Sequence, residues 1–485
     1  MIANNQAKKA EQLPKGDTSQ IFLSATFEIK GAAVVKKTKY VFERSLKDGF
    51  LLVNLLTFNY LILNKNDAEK WQNNDLTGMS CYESLVSECF VVKDDSALFN
   101  RALNYFAIRG ELKPSHVVFI TDECNQHCPY CFEKESGSLN NIHRRQTMND
   151  IEKIFHMILE INGNPVEGNI ILFGGEPLLS KNISIIKYCF ELAKQYNFPS
   201  LQIVTNGTQI RDYKELFSQF YEQIGALIVT LNGSREVHDV IRGSCNNPTF
   251  DVIINNIKYI VKEFPNISIQ INLLLEKRNI DNIDKLLLFL KQEGILEKPQ
   301  VHILFGRIQS RTNPLQGDYP FALPYENYYS EVLKAAAHST YIEDSMISGS
   351  EVDVLGRIYK HWKKNMLVFP SLKGCEAVYP GRYCYYVDGN IYPCTEIVGK
   401  NSYAIGSFSE EKLFESRQTK WGDFNIQNIK KCMACKYVCL CGGACPVTTI
   451  EMNSAMDDPY CLKIEKALSK MIEELDKEGF FNGKA

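Results

Sequence analysis

The residues of this chain that are best suited to chemistry are its cysteines, and their placement is unusual. Of the 16 cysteines in 485 residues, three lie close together at Cys124, Cys128 and Cys131, and nine fall between Cys375 and Cys461. In a reducing compartment, thiols at such tight spacing are typical of metal ligands rather than of disulfides. The remaining four are scattered and are expected to be ordinary buried residues: Cys81, Cys89, Cys189 and Cys245.

The first cluster reads Cys124-Asn-Gln-His-Cys128-Pro-Tyr-Cys131. Three thiolates on one loop can bind three irons of a four-iron cluster, which leaves the fourth iron open to another ligand. Metal sites that perform chemistry keep such an open position, whereas structural sites close their coordination. A structural zinc site with His127 as its fourth ligand is the alternative that this spacing leaves open.

Short polar motifs follow the apolar runs that come after this cluster. In chain order they read Gly-Gly-Glu-Pro, Thr-Asn-Gly and Thr-Leu-Asn-Gly, with an arginine shortly after the last. Each motif alone is an ordinary turn, and the arginine alone is an ordinary solvated residue. If the apolar runs are parallel strands, however, the motifs meet at one edge of a sheet. The candidate site residues that they contribute are Gly174, Gly175, Glu176, Thr205, Asn206, Thr230 and Arg242.

The segment from 114 to 306 alternates short apolar runs with longer amphipathic ones, which predicts a parallel α/β sheet. The predicted strands are His116–Thr121, Asn169–Phe173, Leu201–Thr205, Ala226–Leu231, Ile267–Leu274 and Gln300–Leu304. The predicted helices are Asp150–Asn162, Asn182–Tyr196, Asp212–Gln223, Phe250–Phe264 and Ile280–Glu293. Six units are fewer than the eight of a closed (β/α)₈ barrel, so we expect an open, partial barrel.

Three further regions flank this predicted barrel of residues 111–310. Residues 1–110 are expected to form a small α+β module, with strand-like stretches Tyr40–Arg44 and Phe50–Leu63 around an Asp-Gly turn. Residues 311–374 are expected to be a linker, Pro- and Gly-rich near Asn313–Pro324, with bridging helices at Tyr325–Ala337 and Glu351–Lys364. Residues 375–485 are Cys-rich with poor periodicity, as expected where metal replaces a hydrophobic core, and end in an amphipathic helix at Leu462–Glu478.

Taken in order, these motifs resemble those of radical S-adenosylmethionine (SAM) enzymes. The three-cysteine loop, with Tyr130 before its third cysteine, is similar to the family's signature, and the family's partial (βα)₆ barrel matches the six predicted units. The resemblance implies a [4Fe-4S] cluster on the three cysteines and SAM at the strand ends. The motif of Glu176 would hold the SAM amino group, Thr230 would contact SAM, and Arg242 would pair with its carboxylate. The family's usual Ser-Leu-Asp-Gly is Thr-Leu-Asn-Gly here, so Asn232 lacks the usual charge.

The C-terminal cysteines resemble the SPASM domain, which follows many radical SAM barrels and carries auxiliary [4Fe-4S] clusters. On spacing alone, a pair of zinc-ribbon-like sites is the alternative. Cys439 is left over by the family's scheme, and Cys384 is the least certain ligand because some relatives leave that position open for substrate. The resemblance implies one auxiliary cluster on Cys375, Cys384, Cys394 and Cys445, and another on Cys432, Cys435, Cys441 and Cys461.

The resemblance also implies an activity. Radical SAM/SPASM enzymes cleave SAM reductively to a 5′-deoxyadenosyl radical, which abstracts hydrogen from a substrate carbon. We expect a ribosomally made precursor peptide as substrate, a crosslink such as a thioether as product, and a low-potential electron donor such as ferredoxin or flavodoxin as partner. The N-terminal module is expected either to hold the leader peptide by strand addition or to cover the barrel.

Two other functions stay open. The first is anaerobic sulfatase maturation by formylglycine formation. Against it, over a hundred residues precede Cys124, and Thr395 follows Tyr392-Pro-Cys394 where those enzymes carry an aspartate base. The second is an iron–sulfur electron carrier or zinc-stapled scaffold without SAM chemistry, which would not need the polar set at the strand ends.

Composition and charge exclude several other classes. Apolar residues at 45% and charged residues at 23% are typical of globular proteins. The formal net charge of −3 favours neither nucleic acid nor an anionic membrane as partner. The N-terminal residues lack the apolar core of a signal peptide, and the apolar run Phe50–Leu63 is short and interrupted by polar residues. The sequence therefore predicts a cytoplasmic protein.

Overall fold

The structure is a computed structural model. It describes residues 35–109, 114–135, 143–163, 166–242, 247–308, 319–347, 354–364, 372, 375–378, 381–422, 424–453 and 457–483. Predictions for residues 1–34, for Cys245 and for residues 313–318 of the linker lie outside these ranges. No helix within them is long and apolar enough to cross a membrane.

The described N-terminal residues, 35–109, form two small antiparallel sheets with three helices. Strands β2, β3 and β4 make a meander, and β1 pairs with β5. The elements are β1 Lys36–Lys37, β2 Val41–Leu46, β3 Gly49–Asn54, β4 Tyr60–Leu63, α1 Lys65–Gln72, α2 Tyr82–Ser87, β5 Val91–Val92 and α3 Asp95–Arg109.

The stretch Phe50–Leu63, predicted as one strand, is two. The chain turns after β3 because the Asn54 side chain takes over main-chain hydrogen bonds: its Oδ1 accepts from the amides of Leu56 and Thr57 at 2.9 and 3.2 Å. Phe58 then adopts a left-handed conformation with φ 65°. Such local side-chain bonding competes with a sheet ladder. The apolar composition that suggested a strand comes instead from a turn whose leucines and phenylalanine are fully buried.

The central residues form the expected parallel α/β arrangement, and the predicted fold class is confirmed. Strands β6 to β11 lie side by side in chain order, all parallel. The strands are β6 Ser115–Phe119, β7 Asn169–Phe173, β8 Leu201–Thr205, β9 Ile224–Thr230, β10 Ser268–Leu275 and β11 Val301–Arg307. The helices are α4 Phe132–Glu135, α5 Met148–Asn162, α6 Ile183–Gln195, α7 Lys214–Gln219, α8 Arg235–Arg242, α9 Phe250–Glu263 and α10 Ile283–Gln292.

One predicted helix, Asp212–Gln223, is shorter than expected. Only α7 is α-helical, and 3₁₀ turns at Ile210–Tyr213 and Tyr221–Gln223 flank it.

The two faces of the parallel sheet differ in exposure. Along β10, Ile269, Ile271, Leu273 and Leu275 are buried on the face that packs against the helices, while the alternate residues are half-exposed. The same alternation runs along β8 and β9. Because side chains alternate between the faces of a strand, the face opposite the helices is an accessible surface inside the curved sheet.

The C-terminal residues extend this sheet rather than forming a separate one. Strand β12 pairs in parallel with β6, so that Cys384 lies beside Val117, and the sheet has ten strands among the residues that the structure describes. The bridging helices are α11 Tyr325–Ala337, α12 Asp344–Ile347 and α13 Val354–Lys364. The remaining elements are β12 Arg382–Tyr385, β13 Asn390–Tyr392, β14 Gly406–Ser407, β15 Lys412–Leu413, α14 Glu415–Gly422, α15 Lys430–Ala434, α16 Val438–Cys441, α17 Pro446–Asn453 and α18 Ile464–Lys477.

A buried histidine lies where β6 meets β12. The ring of His116 stacks on Tyr383 and Tyr385, with centroids 5.4 and 5.9 Å apart. Its Nδ1 lies 3.0 Å from the Tyr385 hydroxyl, and its Nε2 lies 2.6 Å from Nδ2 of Asn162. Burial lowers the pKa of His116 to about 4, so the ring is neutral at neutral pH.

We expect this histidine to make the fold sensitive to acid. Its folded-state pKa lies below the unfolded value, so the unfolded chain binds the extra proton, and stability is lost as pH falls from about 6.5 towards about 4. The limiting loss is about 3 kcal/mol. Urea midpoints at pH 7 and pH 5 should differ less in His116→Gln than in the parent protein; equal differences would contradict this assignment.

Candidate active site

The three-cysteine loop lies between β6 and α4, at the carboxyl edge of the sheet. Cys128 is buried, and Cys124 and Cys131 are half-buried. The amide of Gln126 points at the Cys124 sulfur from 3.4 Å. Burial, aided by the nearby Glu176 carboxylate, raises the pKa of the Cys124 thiol to about 12. A thiolate here needs a cation beside it, and iron bound to the three sulfurs would supply one.

The three thiols of the loop are of the type that binds either an iron–sulfur cluster or zinc. Among the described residues, no three His, Cys, Asp or Glu side chains are placed to hold one metal ion. A four-iron cluster takes each thiolate on a different iron, so its ligands need not converge on one point. Tetrahedral zinc requires that convergence, and the His127 side chain proposed for it is exposed.

The glycine pair after β7 packs against the cysteine loop itself. Gly174 and Gly175 have φ of 95° and 42°, and a Cβ on Gly175 would lie 2.1 Å from the Glu123 carbonyl oxygen. The Gly175 amide donates to both carboxylate oxygens of Glu133 at 3.0 Å. Gly174 and Gly175 thus let two loops approach each other closely, which sets the position of the residue that follows.

That residue, Glu176, is a buried carboxylate that joins two strand ends. Its Oε1 accepts from the Thr205 hydroxyl at 2.6 Å and from the Leu178 amide at 2.9 Å, and its Oε2 accepts from the Asn206 amide at 2.6 Å. Burial raises the pKa of Glu176, although these donors oppose the rise. The predicted residues of β7 and β8 are thus brought together beside Cys124.

Arg242, at the end of α8, lies under the cysteine loop. Its Nε and one terminal nitrogen donate to Oε1 of Gln126 at 3.2 and 2.8 Å, and its other terminal nitrogen donates to the Tyr130 hydroxyl at 2.9 Å. The guanidinium is buried, but Tyr130 and the Cys128 thiol outweigh the effect of burial and raise its pKa. Arg242 is therefore a cation held against the thiols of the three-cysteine loop.

A second line of hydrogen bonds fixes the turn after β9. The main-chain N–H of Asn232 donates to Nδ1 of His238 at 3.1 Å, and Nε2 of His238 lies 3.2 Å from the Thr249 hydroxyl. Nε2 of Gln126 also lies 3.3 Å from that hydroxyl. The cysteine loop, the β9 turn and α8 are thereby linked in one buried polar network.

Not every predicted site residue joins this network. Thr230 ends β9 on the open face opposite the helices, beside Asn272 of β10, and no described residue pairs with its hydroxyl. Conversely, Gln126, Glu133 and Thr249 were not predicted, because glutamine, glutamate and threonine at isolated positions carry no pattern that sets them apart.

The C-terminal cysteines fall into two groups. The first comprises Cys375, Cys384 and Cys394, where burial, Glu396 and then the other two thiols raise the pKa of Cys394. Cys445, predicted to complete this group, lies just before α17, and its assignment stays a prediction. In the second group, burial and then the thiols of Cys461 and Cys435 raise the pKa of Cys432, and burial and then the thiols of Cys432 and Cys461 raise the pKa of Cys441. Its predicted members are Cys432, Cys435, Cys441 and Cys461.

Cys439, the cysteine left over by the ligand scheme, has a different environment. It is fully buried in α16, and burial is the main cause of its raised pKa, which the nearby Lys39 opposes. Its thiol also contributes to the raised pKa of Tyr40 in the N-terminal module. This placement agrees with a packing role.

A comparison of Gly175 with Gly163, a glycine outside the site, tests the role of Gly175. Gly175→Ala adds a Cβ that collides with the Glu123 carbonyl, whereas Gly163→Ala, also at positive φ (73°), meets nothing within 4 Å. We expect reconstituted Gly175→Ala to lose most of the iron bound at the three-cysteine loop, because this loop cannot keep its position. Gly163→Ala should keep it. Equal iron content in the two variants, by colorimetric assay, would refute the role given to Gly175.

Comparisons with known proteins show which family the barrel region resembles. Residues 118–290 match the family model of the radical SAM superfamily. An uncharacterized protein of Archaeoglobus fulgidus is 22% identical over 372 residues, 73% of this chain and 79% of its own. GTP 3′,8-cyclase of Clostridium perfringens (strain SM101) is 27% identical over 172 residues, 34% of this chain and 48% of its own.

Solved structures show the same fold. Native anSMEcpe with bound AdoMet (SAM) superposes with a TM-score of 0.56 at 16% identity, and the match covers 76% of this chain and 99% of that one. The matched family segment contains the three-cysteine loop, Glu176 and Arg242. The similarity to the radical SAM superfamily is therefore a similarity of residues 118–290 of this chain.

Proposed function

We propose that this protein is a radical SAM peptide maturase that abstracts hydrogen from a residue of a ribosomally made precursor peptide and installs a crosslink, with a thioether as the expected product. The observation that carries the proposal is the convergence of Glu176 and Arg242 on the three-cysteine loop. A [4Fe-4S] cluster and SAM bound there would supply the radical that removes the hydrogen atom.

In the proposed reaction, the residues of the protein bind and orient SAM. Glu176 is proposed to hold the SAM amino group and Arg242 its carboxylate, because a buried anion and a buried cation flank the same thiols. Both side chains are held by several hydrogen bonds, so little reorganisation is needed when a ligand binds. Burial of both groups also strengthens their electrostatic interactions.

The open face of the sheet offers a surface for the substrate. Half-exposed residues of β9 and β10 line it, including Thr230, Gln270 and Asn272. Nε2 of Gln270 donates to Oδ1 of Asn272 at 2.8 Å, and side-chain amides of this kind can pair with a peptide main chain. The first C-terminal cysteine group is attached to the same sheet through β12, which supports auxiliary clusters close to the substrate.

The N-terminal module is proposed to bind the leader peptide. It is fixed to the C-terminal region: Arg44 donates to the Ser469 carbonyl at 2.7 Å, and Lys39 donates to the carbonyl of Met433, next to Cys432, at 2.7 Å. A leader bound there by strand addition would therefore have a defined position relative to the cysteine groups.

A low-potential donor such as ferredoxin or flavodoxin is the proposed electron source, and the cytoplasm is the proposed location.

Sulfatase maturation is the less favoured alternative. Thr395 begins a 3₁₀ turn directly after Cys394. A threonine hydroxyl has no pKa in the range of a general base at neutral pH, so this position cannot replace the carboxylate that the reaction uses there.

SAM cleavage is the direct test of the activity. With a strong reductant, the reconstituted protein should convert SAM to 5′-deoxyadenosine, and Glu176→Ala and Arg242→Ala should each be slower by about tenfold or more, because each loses charged hydrogen bonds to SAM. Arg235→Ala, an exposed arginine on the same helix, is the control. Unchanged rates in both site variants, measured by chromatography, would overturn the site assignment.

Iron analysis tests the clusters separately. Three four-iron clusters require about 12 irons per chain, with matching acid-labile sulfide. Cys432→Ser should lose about four irons, whereas Cys439→Ser should lose none, since Cys439 is assigned to packing. About 8 irons in the parent would remove one auxiliary site, and one or two zinc ions with little iron would favour the zinc-stapled scaffold.

A further inference from the structure

The Tyr130 hydroxyl receives two hydrogen bonds at the centre of the buried network. Nδ2 of Asn232 lies 2.7 Å from it, and a terminal nitrogen of Arg242 lies 2.9 Å from it. Within the described part of the chain, no group accepts a hydrogen bond from this hydroxyl. Leaving a buried donor unsatisfied costs roughly 1–3 kcal/mol.

The direction of both bonds is fixed by chemistry. The main-chain amide of Leu274 donates to Oδ1 of Asn232 at 3.1 Å, and a main-chain N–H can only donate. The oxygen of the Asn232 side chain therefore faces β10, and its NH₂ group faces Tyr130. A guanidinium also only donates, so Arg242 is the second donor. The Tyr130 oxygen accepts twice, and its proton must point to a third group.

Two kinds of acceptor could take the proton of the Tyr130 hydroxyl. One would be an anion bound beside Arg242, and the other would be the sulfur of Cys128 or Cys131, whose thiols contribute to the raised pKa of Tyr130. Arg242 favours the anion, because one of its terminal nitrogens already touches Tyr130, so that a carboxylate oxygen placed there would meet both donors. Charge-assisted bonds of this kind are the stronger ones.

We infer that Tyr130 donates its hydroxyl proton to the carboxylate of SAM and that Asn232 is the positioning residue that makes this possible. The inference rests on the proposed SAM site. An aspartate at 232 would accept the tyrosine proton instead of donating to the hydroxyl, and would thus withdraw it from the ligand. The asparagine of the Thr-Leu-Asn-Gly turn therefore has a specific role. It donates to the Tyr130 hydroxyl, whereas an aspartate at this position would accept from it.

SAM affinity of the reconstituted protein tests this directly, by calorimetry and by the change that SAM causes in the electron paramagnetic resonance spectrum of the reduced cluster. Tyr130→Phe should weaken binding about 10-fold or more, the loss expected for a hydrogen bond to a charged group. Asn232→Asp should weaken it to a similar extent. In the double variant the losses should not add, because both changes remove the same proton from SAM.

The matched control is Tyr319→Phe. The ring of Tyr319 packs edge-on against that of Tyr130 with centroids 5.7 Å apart, but its hydroxyl contacts Glu276 and Arg278 instead of the network. Its removal should leave SAM affinity unchanged. All variants should retain the parent's iron content, which shows that the loop is intact.

The other outcomes identify which step fails. Additive losses from Tyr130→Phe and Asn232→Asp would overturn the role of Asn232. Unchanged affinity in Tyr130→Phe, with an altered midpoint potential of the SAM-free cluster, would assign the proton to a cluster sulfur and overturn the inference. A parent protein that holds its iron but does not bind SAM would refute the proposed function itself.

Discussion

The site depends on one buried charge. Arg242 is almost completely removed from solvent, and an isolated buried cation is very costly unless neighbouring groups compensate it. Here the compensation comes from the Gln126 carbonyl, the Tyr130 hydroxyl and the nearby thiols, all of which belong to the cysteine loop. Arg242 and the cysteine loop therefore hold each other in place, because the polar groups of the loop compensate the buried charge of the arginine.

Close packing of the main chain is the second constraint. At Gly175 no side chain fits, because the turn after β7 lies directly on the carbonyl of Glu123. This contact brings the buried Glu176 carboxyl group to the ends of β7 and β8. Both Glu176 and Arg242 act on the Cys124 thiol, because the carboxyl group raises the pKa of that thiol and the guanidinium lowers it.

Sheet continuity has a similar effect on a larger scale. Because β12 is hydrogen-bonded to β6, Cys384 is fixed to the strand that leads into the three-cysteine loop. Aromatic rings fill the space beside this junction: Phe119 packs edge-on against Phe173 and Tyr386, with centroids 5.1 and 5.3 Å apart. A closely packed interior resists relative movement of its elements, so the distance between the three-cysteine loop and Cys384 is fixed.

The sequence by itself determined the six parallel units, the thiol-bearing loop and the polar strand ends, because hydrophobic periodicity and short-range motifs are local properties. The prediction of one strand over Phe50–Leu63 was wrong, because the Asn54 side chain ends the strand through a local hydrogen bond that the composition does not reveal. Only the tertiary structure decided that the Cys-rich region continues the barrel sheet. Likewise, only the tertiary structure paired Gln126 with Arg242 and set the direction of the Asn232–Tyr130 bond. These contacts join residues far apart in the chain, and the chain must fold before such partners can meet.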